Sequence, residues 1–160
     1  GLDMLLTERD QTSPEALARR FLVPGQEAVH EALARMPSHD ELLAKTFARY
    51  RVVLGAAGLD VEAPSVSAGL RTWPIVSNDA IAERSVHHYP FVLASLAAFQ
   101  GAATGQALMN VELERGVVRR IGLVSTVGTT LVPTFSLELL RVAQQHDVPR
   151  GAGGGEGVGE

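Results

Sequence analysis

Apolar positions recur at helical spacing through the first third of the chain. Leu17 and Phe21 share one face of a segment that Thr12, Pro14 and Glu15 open as a capping signal, predicting a helix over 13–23 before Pro24-Gly25. Gln26 to Met36 repeats the pattern with Val29, Leu33 and Met36, and Pro37 stops it. Ser38 and Glu41 form a second capping box. Leu43, Phe47, Tyr50 and Leu54 follow on one face, predicting an amphipathic helix over 39–56.

The periodicity then breaks. Gly58, Pro64, Gly69 and Pro74 interrupt 58–77, where Leu59, Val61, Val66, Leu70, Trp73 and Ile75 predict an apolar crossing with one short strand. Asp79 to His88 has the composition of a short helix. From Ser85 to Val111 no residue carries a formal charge, and within this run 91–108 is expected to form a covered helix. Gly101 and Gly105 would each cost such a helix about 1 kcal/mol relative to alanine, a cost that close packing explains.

Beyond Asn110 the period changes to two. Val111 and Leu113 alternate with Glu112 and Glu114, a turn falls at Arg115-Gly116, and Val117 to Val124 returns, predicting an antiparallel hairpin packed on the 91–108 helix. A strand over 129–132 and a helix over 135–146 complete the reading, with Leu139, Leu140 and Val142 inward and Glu138 and Arg141 outward. The expected fold is α+β or mixed α/β, a helix-rich single domain with a C-terminal antiparallel hairpin. Its body spans 8–148, between an extension over 1–7 and a flexible Gly-rich tail over 149–160.

Composition narrows the classes of function. Hydrophobic residues make up 46% of the 160 and charged residues 20%, enough apolar surface for one self-sufficient core. Fourteen basic against 18 acidic residues, mixed along the chain, disfavour nucleic acid and anionic membranes as partners. The uncharged runs 85–111 and 121–137 are long enough to suggest a membrane hairpin. His87, His88, Gln100, Gln106, Asn110 and Pro133 within them favour a core in water instead. The absence of cysteine removes disulfides and thiolate chemistry, and no basic segment followed by a short apolar core marks an export signal. A cytoplasmic location is slightly favoured on these grounds.

Three groups of side chains carry candidate chemistry. Glu83 and His87 lie one helical turn apart beside His88, so a carboxylate is placed to orient an imidazole for acid–base work. Ser125, Thr126 and Thr129 among glycines form a candidate ligand-binding loop that matches neither the phosphate loop nor the dinucleotide fingerprint. Glu27 and His30 have metal-ligand spacing, with Glu31, Asp40 and Glu41 as further donors, but nothing sets those donors opposite them. No metal and no cofactor is expected.

The segment EALARRFLVPGQEAVHEAL, with Arg19 and Arg20 exposed, resembles a helix-turn-helix DNA-binding segment. That resemblance implies a second helix entering the major groove. Gln26, Glu27 and Glu31 stand on that helix, and the two glutamates repel phosphate, so a packed helical corner is expected in its place.

The function expected from the sequence is a structural or protein-interaction subunit of a homo-oligomer or larger assembly, with itself or other protein subunits as partners. Phe91, Leu96, Phe99, Gly101 and Gly105 are its expected interface. The alternative is a small enzyme or ligand-binding domain built on Glu83, His87 and His88.

Overall fold

Val53–Leu59 (β1) reads VLGAAGL, apolar and small at every position, and it is buried along most of its length. A strand covered on both faces needs no alternation, which is why the residues from Val53 onward leave the helical pattern. The computed structural model describes residues 1–21, 25–62, 70–73, 75 and 86–144. Among them, helices Pro14–Arg20 (α1), Glu27–Ala34 (α2) and His39–Phe47 (α3) precede β1. Strands His88–Tyr89 (β2) and Phe91–Leu93 (β3), helix Ala97–Ala102 (α4) and strand Gly105–Leu108 (β4) come next. Strands Leu113–Glu114 (β5), Val117–Val118 (β6), Val124–Val127 (β7) and Thr130–Pro133 (β8) lead into the last helix, Phe135–Gln144 (α5).

β1 lies at the centre of one sheet, antiparallel to β3 and parallel to β4. Leu2 bridges to Leu54, beside the part of β1 that β3 does not reach. The second sheet has the order β2-β7-β8, with β2 parallel and β8 antiparallel to β7. The two sheets share edges. Only Pro90, which has no amide hydrogen for a ladder, separates β2 from β3. At the opposite edge Leu108 of β4 bridges to Thr134 just after β8. Both sheets contribute to one core of Ala56, Tyr89, Val92, Ala94, Leu108 and Val132. A second cluster, Phe47, Leu54 and Phe99, joins α3 and α4 to β1, with Leu2 and Leu6 packed against it.

Several expectations are corrected. The described residues hold eight strands and five helices, so the fold is mixed and built on two small sheets, not helix-rich. The expected helix 91–108 is strand, short helix and strand in turn. The expected 111–124 hairpin is not packed against it: β5 and β6 pair over only two residues each, and Val117 and Val118 are exposed. The expected helix 39–56 ends at Phe47. Arg49 and Tyr50 close its last turn onto Thr46 and Phe47, and Tyr50 is left in solvent. His88 is in a strand where a helix is expected, and the rest of the expected 79–88 helix up to Ser85 lies outside the described residues. The Gly-rich tail 149–160 also lies outside them. No described helix is long and apolar enough to cross a membrane.

The Ser38 cap is in place, its hydroxyl accepting from the Glu41 amide at 3.0 Å. The first helix starts differently from the expectation. Ser13 occupies its N-cap, and the Thr12 amide and hydroxyl donate to Asp10 at 2.9 and 2.7 Å. The His39 ring contacts Asp10 Oδ2 at 2.6 Å, while the buried Ser13 hydroxyl donates to the same oxygen and accepts from the His39 amide. Asp10 thereby ties the start of α1 to the start of α3. The Thr12 donors first, then His39 and Ser13, hold its carboxyl well below the usual carboxylate range. A depressed carboxylate stabilises the fold above its unfolded pKa, near 3.8, and that contribution fades as the pH falls below it. Asp10→Asn is therefore expected to lower stability at pH 7 and to flatten the loss of stability between about pH 4 and pH 2. Urea unfolding at a series of pH values checks this, and parallel curves for the two proteins contradict it.

Candidate functional site

Three chain segments meet beyond the end of β1. Asp60 follows β1, His87 precedes β2, and Asn110 and Glu112 follow β4. His87 lies between two carboxylates, with Nδ1 3.2 Å from Glu112 Oε1 and Nε2 3.7 Å from Asp60 Oδ1. Its ring also stacks at a tilt on Tyr89, centroid to centroid 4.3 Å. Tyr89 is buried against Gly58, where a side-chain Cβ would overlap the phenol ring. The Asn110 side chain pairs with the Gly58 backbone as a neighbouring strand would, accepting from its amide at 2.6 Å and donating to its carbonyl at 2.8 Å. Burial, then the charges of Glu112 and Asp60, push the Tyr89 phenol up against the pull of a hydrogen bond with Asn110.

This geometry limits the chemistry. Both nitrogens of His87 face carboxylates, so neither is presented to a substrate or metal while those contacts hold. Both carboxylates stand well out in solvent, so the group is a polar rim and not an enclosed pocket. Among the described residues no three histidine, aspartate or glutamate side chains converge to hold a metal ion.

The other expected site residues are dispersed. His88 turns away from His87, and its Nδ1 contacts the Thr126 hydroxyl at 3.0 Å, which brings one expected imidazole to the Ser/Thr segment. Ser125 lies on β7 opposite Val132, and Thr129 is exposed in the turn at Gly128. Glu83 lies outside the described residues. Of the expected interface, Phe99 is 1% exposed and belongs to the core, Gly105 is buried, Gly101 is exposed, and Phe91 and Leu96 are half-buried. They do not make one surface. In the Glu27/His30 group, Glu27 accepts from the Gly25 amide, Asp40 accepts from the Asp10 amide, and Glu31 pairs with Arg35.

Two features were not visible as sites in the sequence. The first is Glu138, expected outward but 1% exposed, with Arg141 donating to both its oxygens at 2.7 and 2.5 Å. The carboxylate occupies space that Gly105 leaves open, since a Cβ there would overlap it. The Arg141 guanidinium lies over the Trp73 ring, 5.0 Å from its centroid. Glu138 is four residues before the buried Val142, and that helical spacing was the available signal.

The second is an apolar arm. Val111, Val117, Val118, Ile121 and Leu123 are between 42% and 63% exposed within one short stretch around the β5–β6 ladder. Arg115 and Gly116 both have positive φ, 52° and 81°, as a tight turn between twisted strands requires. Neither strand pairs with any third strand among the described residues. Compared with known proteins, the chain matches no family model, no curated protein and no solved structure.

Proposed function

We propose that this chain is a protein-interaction subunit that assembles with copies of itself through the arm over 111–123. One observation carries the reading, the five large apolar side chains that this short arm holds in solvent. A two-stranded ladder of this length is marginal in water by itself, and its unpaired edges are templates for another strand. A second copy fits the arm by its apolar character. It brings an identical apolar arm, so two arms related by a two-fold axis can cover each other's exposed valines, Ile121 and Leu123.

The test is mass against dilution. The chain should exceed its 17.0 kDa monomer mass at high concentration and approach it on dilution, while a Val118→Asp/Ile121→Asp variant with an unchanged circular dichroism spectrum should remain monomeric throughout. A wild-type monomer at every soluble concentration overturns the proposal.

A second reading, a small-molecule site at the rim, is supported by the placement of His88 against Thr126, which brings an imidazole to the Ser/Thr segment one residue from His87. It requires His87→Gln and His88→Gln to abolish a small-molecule activity and leave the dilution profile unchanged; retained activity in both variants removes it.

A further inference from the structure

At the other end of β4 from the His87 rim is a cleft of about 320 Å³, lined by Arg71, Thr72, Trp73, Gln100, Thr104 and Gly105 among others. We propose that it binds a small planar anion, an aromatic ring carrying one carboxylate or phosphate. Its volume lies within the range that encloses such molecules.

The aromatic wall is held from the interior outward. Gly105 makes room for the Glu138 carboxylate, Glu138 holds one edge of Arg141 through two hydrogen bonds, and the Arg141 guanidinium supports the half-exposed Trp73 ring. A ring so supported is a stacking surface that loses little freedom when a ligand lies on it.

The charge of the site is unbalanced. Among the described residues Arg71 is the one charged side chain lining the cleft, while Arg141 against Trp73 is already paired with Glu138. Arg71 is exposed, and its one contact among the described residues is a long one, 3.5 Å, to the Gly101 carbonyl at the end of α4. That contact steadies the guanidinium while leaving most of its donor fork to solvent, and a carboxylate or phosphate is the partner that matches such a fork. The neutral lining from Thr72, Gln100 and Thr104 supplies hydrogen bonds without an opposing charge.

Trp73 is the chain's single tryptophan, so its fluorescence reads this cleft directly. The full chain is titrated with benzoate and with phenyl phosphate, which separate the carboxylate and phosphate forms of the ligand. Benzamide serves as the uncharged ring and inorganic phosphate as the ringless anion. The expected result is a saturable change with at least one ring-bearing anion at a dissociation constant below about 1 mM. Binding should weaken about tenfold or more in Arg71→Gln, the loss of a charged hydrogen bond. It should also be weaker for both control compounds. A response that never saturates with either anion overturns the proposal, as does equal affinity in a correctly folded Arg71→Gln chain. Benzamide binding as tightly as benzoate, or inorganic phosphate binding as tightly as phenyl phosphate, also overturns it.

Discussion

Arg141→Ala is expected to cost about 3–5 kcal/mol of folding stability, the range for breaking a buried ion pair from one side. An exposed pair at the same spacing would contribute less than about 1 kcal/mol. The difference comes from Glu138. Its carboxylate is 1% exposed, and both oxygens accept from Arg141, so removing the guanidinium leaves a buried charge without its partner. Replacing both residues should behave otherwise. In Glu138→Met/Arg141→Met no charge is stranded, and the buried methionine can fill the space beside Gly105, so most of the loss should be recovered. Urea unfolding of the two single variants and the double variant completes the cycle. A loss below about 1 kcal/mol in Arg141→Ala would place the pair with ordinary surface ion pairs and remove the support ascribed to Trp73.

Phe99→Ala is expected to cost a similar amount, about 3–5 kcal/mol, for a different reason. Phe99 is 1% exposed, and its ring packs at 55° to that of Phe47, centroids 5.6 Å apart, above Leu54. Truncation empties a space between α3, α4 and β1 that the surrounding elements are too rigid to close. The sequence placed Phe99 in a subunit interface, and the two positions differ in their concentration dependence. A core residue lowers the unfolding free energy equally at all protein concentrations. An interface residue shifts it with concentration, because association contributes by mass action. Phe99→Leu, which keeps much of the volume, should cost markedly less. A concentration-dependent loss would return Phe99 to the interface.

The legible parts of the fold are those decided within a few residues. The Ser38 hydroxyl caps α3 because the Glu41 amide is always within reach of it at a helix start. The strand expected over 129–132 is observed over Thr130–Pro133, and the helix expected over 135–146 is described over Phe135–Gln144. The reading of that helix failed at Glu138, where residue type outweighed spacing. Its place one turn before Val142 pointed inward, but only the distant Gly105 makes that place habitable for a carboxylate. The candidate site was half legible in the same sense. His87 and His88 were singled out, while Asp60, Asn110 and Glu112 reach His87 and its neighbour Tyr89 only through the pairing of β1 with β3 and β4.

The uncharged Ser85–Val111 run marks the boundary between the two kinds of information. By itself the sequence determined that this run supplies much of the core, because a long stretch without charge and rich in Phe, Leu, Val and Ala loses too much by staying wholly in water, although Gly101 and Val111 within it are exposed. It did not determine the secondary structure there, since a buried strand and a buried helix have the same hydropathy when both faces are covered. Tertiary structure made that choice. Phe91–Leu93 and Gly105–Leu108 become strands because β1 lies between them with free backbone donors and acceptors on both edges, and a ladder there satisfies backbone groups of all three segments. Gly105, a liability in the expected helix, becomes the opening into which Glu138 fits. Composition carries the tendency to be buried, whereas hydrogen-bond partners far away in the chain select the conformation in which it is buried.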